Sequence, residues 1–577
     1  MKKGMRAGNK VGVNRVILQY GSGNRAGRRG NLAEKYVYDL SKVTIVIHRS
    51  IFRLAAVSSI CVAGMIATPT VAEVTAFKQA VAETAALDDD LAAFYRANEF
   101  QSIWTGSDEL AQSRRNALLS ALSTVEMHGL PADRYDVSGM MARLQAAQTA
   151  YDQGAMEVEL SRALISYASD VGRGLLNPSA VIDEIKRGRP EFDGAAVLAE
   201  FSQSNPVEFL RGLAPQSAEY ARLMRAKLQL EAQIAAGGWG DVVASSNTLR
   251  PGDTGNAIVQ LRNRLIRMGY LPRTMTAEYD GAMQAAVLQF QQKHGLNADG
   301  VAGPSTIEQV NVSARDRLES VIVAMERERW LGVDRGERHV WVNQADFTAQ
   351  IIDNDIVTFE TRSVIGALSS DRQSPEFSDV MEFMVINPSW YVPRSIIVNE
   401  YLPQLQANAG AVGHLQVIAS NGQVVSRNQD FSQYTSSSFP YSMKQPPGPR
   451  NALGSVKFMF PNRYNIYLHD TPAQNLFSRE VRAFSHGCIR LDDPHDFAYA
   501  LLAVQTDDPV GYFQSRLRSG QETRVDLQTP VPVHLDYRTA YSNADGSMEY
   551  RRDVYGRDAR IWSALQREGV EIASVSG

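Results

Sequence analysis

The apolar residues of this chain change period once, near Gly332, and that change divides it into two kinds of structure. From about Leu87 to Ala235 they recur at helical spacing, as in Leu91, Phe94 and Tyr95 and again in Leu118, Leu119 and Leu122. Stripes of this kind read as amphipathic helices. Beyond Gly332 the residues alternate or form short apolar runs, at His339 to Asn343, Ile351-Ile352, Met381 to Ile386 and Tyr464 to Leu468. That is the pattern of strands. At 577 residues the chain is too long for one hydrophobic core, and length predicts about three or four domains. The expected class is a multidomain α+β protein: an all-helical scaffold at 87–235, a compact three-helix module at 249–311, a mostly β domain at 337–505, and an extension at 506–577 with the final strands.

Turn signals fix the joints. Gly129-Leu130-Pro131 and Leu176-Asn177-Pro178 punctuate the helical half, which shows no ligand cluster and reads as packing. Gly237-Gly238-Trp239-Gly240 and Ala244-Ser245-Ser246-Asn247 form a linker. The module opens on the turn Arg250-Pro251-Gly252-Asp253. Helices follow at Ala257 to Met268, at Met283 to His294 and after Gly303-Pro304, with Ile258, Leu261, Leu265, Val287 and Phe290 facing inward. Its phrases Leu-Arg-Pro-Gly-Asp, Leu-Arg-Asn-Arg-Leu, Gly-Tyr-Leu, Tyr-Asp-Gly and Val-Leu-Gln-Phe-Gln, in that order, resemble a peptidoglycan-binding module of the first type. The glycines before it suggest a unit that could be excised. Asp316 to Trp330 reads as a connecting helix. In the β domain a polar insertion is expected at Gly410 to Tyr441, a helix near Pro494 to Val504 and a last strand near Asp526 to Tyr550.

The first 72 residues carry twelve Lys or Arg against Glu34 and Asp39, and close on the apolar run Leu54 to Ala67 followed by Thr70-Val71-Ala72. A basic region, a short apolar run and a small-x-small site make an export signal, with cleavage expected after Ala72. The long basic region leaves a retained anchor as the alternative, and only then would a membrane be a partner. Without these residues the chain has 47 basic and 61 acidic residues, a net charge near −14. An acidic body argues against nucleic acid as a partner. Cys61 leaves with the signal, so one cysteine, Cys488, remains. A lone thiol in an oxidising compartment is half of no internal disulfide; it is either a buried structural residue or a reactive one.

The stretch that bears chemistry runs Tyr464-Asn465-Ile466-Tyr467-Leu468-His469-Asp470-Thr471, then a loop, then Phe484-Ser485-His486-Gly487-Cys488-Ile489-Arg490-Leu491. At strand period, Tyr467 and His469 share a face while Ile466 and Leu468 point into the core, which puts His469 on a polar face. A thiol needs a base or a lowered pKa to attack an amide. A histidine from a strand end can meet a cysteine on a neighbouring turn. Gly487 lets backbone come close, so main-chain N–H groups beside Cys488 can form an oxyanion hole. Arg490 offers a planar fork for a carboxylate. Zinc is the competing reading, because His469, Asp470, His486 and Cys488 are all possible ligands; one cysteine without a paired second fits it poorly. Gly21-Ser22-Gly23, lying in the export segment, is no nucleotide fingerprint.

His469-Asp470-Thr471 followed by Ser485-His486-Gly487-Cys488-Ile489-Arg490 resembles the signature of the L,D-transpeptidase catalytic domain. The phrases 387–393 (Asn-Pro-Ser-Trp-Tyr-Val-Pro), 445–449 (Gln-Pro-Pro-Gly-Pro) and 451–454 (Asn-Ala-Leu-Gly) are similar to the larger periplasmic members of that family. The resemblance implies Cys488 as nucleophile and His469 as general base. It further implies His486, Gly487, Arg490 and Ser485 in support, Tyr467 and Trp390 lining the cleft, no metal and no cofactor. It also implies an exported, periplasmic enzyme whose partner is peptidoglycan, with tetrapeptide stems as donor and acceptor. The same acyl-enzyme could instead be resolved by water, a free D-amino acid or a lipoprotein lysine. One departure stands out: many members have Gly after the base histidine, where this chain has Asp470. Whether Asp470 orients His469 is open, since a backbone carbonyl could serve equally well.

Overall fold

The computed structural model describes residues 75–332, 335–543 and 545–572; the expected export segment, with Cys61, lies outside them. Among the described residues no helix is long and apolar enough to cross a membrane.

Helices run from Ala76–Ala85 to Ala218–Ala235. Asp88, Asp108 and Ser217 each cap a helix by accepting first-turn N–H groups. A full capping box between Thr149 and Asp152 starts the longest helix, α1 (Ala150–Arg173). α2 is Ala218–Ala235. α1 buries Glu157, whose carboxylate accepts the N–H groups of Ile103, Trp104 and Thr105. A carboxylate taken out of water needs such a set of donors, so the turn at 102–105 is fixed around it.

The module holds α3 (Asn256–Arg267), α4 (Gly281–Lys293) and α5 (Pro304–Asn311) around Leu261, Leu265, Val287 and Phe290. It is tied down on two sides. Arg264 Nη1 donates to Gly240 O of the linker at 2.8 Å, and Arg551 Nη1 donates to Lys293 O at 3.1 Å. His294 stacks on Tyr550, ring centroids 5.6 Å apart.

The helix expected only to connect is α6 (Ala314–Leu331), and every residue from Val321 onward is buried. Its charged run Glu326-Arg327-Glu328-Arg329 is paired inside the protein. Arg327 meets Glu376 at 2.6 Å and Asp558 at 3.1 Å, Arg329 meets Glu326 at 2.9 Å, and Glu328 accepts from Arg538. Buried charges persist only when matched in this way.

Nine strands form the main sheet among the described residues: β1 (Arg338–Asn343), β2 (Thr348–Asp353), β3 (Ile356–Gly366), β4 (Phe377–Ile386), β5 (Val456–Met459), β6 (Leu468–His469), β7 (Ala483–Ser485), β8 (Ile489–Leu491) and β9 (Thr523–Asp536). Their order is β7-β3-β8-β6-β5-β4-β9-β1-β2, and β2 also pairs with β3, so the sheet closes on itself. β9 ends at Asp536 and lies between β4 and β1; Ala540–Ser542 and Met548–Tyr550 pair separately. The insertion is wider than the expected 410–441, since its own three-stranded sheet takes in Trp390–Tyr391, Ser442–Gln445 and Gln416–Ile418. It is polar at its rim, yet Phe431 and Phe439 are buried inside it.

Candidate active site

Strand pairing brings the two halves of the sequence motif together. β6 runs parallel to β8 with Leu468 opposite Ile489 and His469 opposite Arg490. Ile489 N–H donates to Tyr467 O at 3.1 Å, which seats Cys488 beside Tyr467 at the mouth of β8. On the other side of β6, Lys457 of β5 stands opposite His469.

Tyr467 and His469 do share a face, their rings 5.7 Å apart, but that face is covered as well. His469 is 4% exposed, so the expected polar face is a buried one. The register partners of His469, Arg490 on β8 and Lys457 on β5, stand on the same face and, with Tyr467, crowd the ring. Burial, and then the Arg490 charge, pull the His469 imidazole down to about 3, against the lift from the Asp470 carbonyl. That carbonyl accepts a hydrogen bond from Nδ1. A carbonyl only accepts, so Nδ1 carries the proton and Nε2 of this neutral ring carries the lone pair.

The Asp470 carboxylate faces elsewhere. It accepts from Ser455 N and Oγ, both at 2.7 Å, and from Thr471 N at 2.6 Å. Gly454 makes room: its φ is +60°, and a Cβ there would lie 2.3 Å from the Asp470 carboxyl carbon. The orienting group for His469 is therefore the main chain of Asp470, and the side chain braces the turn at 454–455.

Cys488 is part-exposed while its sulfur is largely dehydrated. Burial pushes the thiol up to about 11, against the pull of the Tyr467 N–H and hydroxyl and of the Arg490 and Lys457 charges. Sγ donates to Asn465 O at 3.6 Å, and no hydrogen bond joins it to the imidazole among the described residues. Asn465 adopts φ +56°, a conformation asparagine tolerates, and so turns its carbonyl toward the thiol. Both shifts favour the uncharged forms, the thiol and the neutral imidazole.

The turn between β7 and β8 is closed from within. Ser485 Oγ donates to Cys488 O and accepts from Gly487 N at 3.1 Å. Gly487 has φ +111°, where a side chain would be strained, and a Cβ would press on Ile466 at 3.1 Å. His486 points away to Glu400 of the insertion at 2.6 Å, and Glu400 also takes Arg372 at 2.8 Å. Arg490 Nε has no hydrogen-bond partner among the described residues. Trp390 is buried in the insertion against Tyr401. Cys488, His469, Tyr467, Gly487, Ser485 and Arg490 thus come together, His486 stands at the rim, and Trp390 belongs to the insertion's interior. Sequence reasoning missed Lys457, Asn465, Ser455 and Glu400. Only Asn465 carried a local signal, as an asparagine in a turn before a strand.

Residues 337–531 match the model of the L,D-transpeptidase catalytic domain, residues 89–226 that of a scaffold domain, and residues 254–310 that of a domain described as "Putative peptidoglycan binding domain". A protein of Haemophilus influenzae named "Putative L,D-transpeptidase" is 29% identical over 245 residues, 41% of this chain and 48% of that protein. The chain therefore spans about half of that relative's length. A zinc D-Ala-D-Ala carboxypeptidase of Streptomyces albus G is 39% identical over 70 residues, 11% of this chain and 26% of that protein. The solved structure of an L,D-transpeptidase from Stackebrandtia nassauensis is 12% identical and aligns over 52% of this chain and 98% of that one, with a TM-score of 0.20, too low to support any argument. The three domain matches stand in chain order, so that residues 337–531 are an L,D-transpeptidase catalytic domain preceded by a scaffold domain and a peptidoglycan-binding domain.

Proposed function

We propose that the protein is an exported cell-envelope enzyme that crosslinks peptidoglycan through a Cys488 thioester. The observation that supports this most is the His469 ring, with Nδ1 on the Asp470 carbonyl and Nε2 without a hydrogen-bond partner among the described residues, on the strand paired with the one that follows Cys488. Such a ring is a base waiting for a proton. Cys488 attacks the carbonyl of the third residue of a tetrapeptide stem as Nε2 takes the thiol proton. The C–N bond breaks, His469 returns the proton to the departing amine, and D-Ala leaves. The side-chain amine of a second stem then attacks the thioester, which gives a 3-3 crosslink and restores the thiol. Because both partners rest neutral, the proton moves during attack, which is general-base rather than preformed-thiolate catalysis. A stem carboxylate would meet Arg490 through its terminal nitrogens, because Nε is buried. The peptidoglycan-binding module would hold the enzyme on its polymer and raise the concentration of stems near Cys488. Purified protein incubated with disaccharide tetrapeptide and read by mass spectrometry tests the reading. A dimer lacking one D-Ala supports it; tripeptide alone makes the acceptor water; no release of D-Ala overturns it.

A further inference from the structure

The N–H groups of the nucleophile turn are unevenly committed. Gly487 N–H is spent on Ser485 Oγ and Ile489 N–H on Tyr467 O, while the Cys488 N–H makes no hydrogen bond among the described residues. An amide left free beside a thiol is the group that would receive the oxyanion of an attacked carbonyl. Its aim depends on the peptide plane between Gly487 and Cys488, because in a trans peptide the C=O and N–H of one plane point in opposite directions. The C=O of that plane is Gly487 O, and it accepts from Ser374 Oγ at 2.7 Å. Ser374 is fully buried, and its hydroxyl accepts from Gly366 N at 2.9 Å, so its proton has one destination, Gly487 O. The serine is itself held: Arg557 Nη2 donates to Ser374 O at 2.7 Å, and Tyr555 Oη donates to Gly366 O at 2.6 Å and accepts from Ser374 N at 3.4 Å. Arg557 in turn is anchored on Glu376 at 2.8 Å.

We infer that Ser374, outside both halves of the catalytic motif, is the positioning residue that aims the Cys488 N–H at the oxyanion. This rests on the acyl-transfer reading above and deepens it. Removing the hydroxyl frees the Gly487–Cys488 plane to rotate. That weakens stabilisation of charge on the attacked carbonyl without altering the thiol or its base.

Two reactions of the same sulfur separate these effects. Acylation by a carbapenem passes through an oxyanion; alkylation by iodoacetamide displaces iodide and develops none. Ser374→Ala is expected to slow acylation by about tenfold to a hundredfold, short of the 10²–10³ lost when an oxyanion donor is removed outright. Alkylation should stay within about twofold, and Ser374→Thr, which keeps the hydroxyl, should recover most of the acylation rate. In turnover of a soluble tetrapeptide the loss should fall on kcat rather than KM. Equal slowing of both reactions, or no change in acylation, overturns the inference. If Ser374→Ala does not fold, Tyr555→Phe is read by the same pair of rates, with acylation slowed about three- to tenfold at unchanged alkylation as the supporting result and parallel rates as the contrary one. Failure of the wild-type protein to be acylated at all counts against the acyl-transfer reading instead.

Discussion

Cys488 and His469 rest as an uncharged pair, and this sets what substitutions and pH should do. Cys488→Ala should abolish acyl-enzyme formation, read by intact mass. His469→Ala should cut the chemical step by about 10²–10⁴, the usual worth of a positioned base. His486→Ala should cost less, because its Nε2 is engaged with Glu400 rather than with the sulfur. A larger loss at His486 than at His469 would mean the base is wrong. The pH dependence follows from the directions of the shifts. With the thiol up at about 11, its thiolate fraction keeps rising with pH across the neutral range. Iodoacetamide should therefore alkylate Cys488 ever faster from pH 7 to 10, with no plateau near neutrality; a plateau below pH 8 would show a preformed thiolate. With His469 down at about 3, no loss of activity from protonating the base is expected down to about pH 4. The pair His469 and Cys488 was legible because two short stretches close in the chain, 464–471 and 484–491, carry them. The groups that tune them were not. Lys457 and Ser374 lie outside both stretches, and nothing in their neighbours marks them before the sheet is assembled; Asn465 lies inside the first and shows only the sign of a turn.

Elements were legible where one face is wet and misread where none is. α3, α4 and α5 fall where helical spacing and turn residues put them, since each shows water one polar side. α6, expected only as a connecting helix, carries the charged run Glu326-Arg327-Glu328-Arg329. Its partners Glu376, Arg538 and Asp558 arrive from 49 or more residues away, so only the fold reveals that the charges are inside. β6 departs from the expected polar face for the same reason: Lys457 and Arg490, which share that face with His469, come from strands brought beside it only by the fold. The cost of breaking the α6 network follows. Arg327→Ala strands Glu376 beside Arg557 alone and leaves Asp558 without its cation, both buried. Removing one partner from a buried pair costs about 3–5 kcal/mol. Urea unfolding should show a loss of that size; a change under 1 kcal/mol would mean water or a neighbouring group takes over the charge.

At the scale of the molecule, the glycines Gly237 to Gly240 suggested that the peptidoglycan-binding module could be cut out and the catalytic domain left whole. The contacts argue otherwise. Gly240 is held by Arg264, Lys293 O and the His294 ring are covered by Arg551 and Tyr550, and Arg551 also pairs with Asp346 at the turn between β1 and β2. The 540–551 hairpin thus touches the module on one side and the catalytic sheet on the other. It meets the helical body too, through Ser542 N–H on Glu219 at 2.9 Å. Excising 249–311 would expose the buried Tyr550 ring and loosen the arginine that neutralises Asp346. We expect the excised protein to melt at a lower temperature than the full chain and to turn over a soluble tetrapeptide more slowly at a temperature where both remain folded. Tethering alone predicts a different pair of results, with retention on sacculi lost and soluble turnover kept, because effective concentration acts only on the polymer. A deletion variant with wild-type soluble turnover and melting temperature would show that the hairpin needs no support from the module, and that the module serves the catalytic domain as a tether alone.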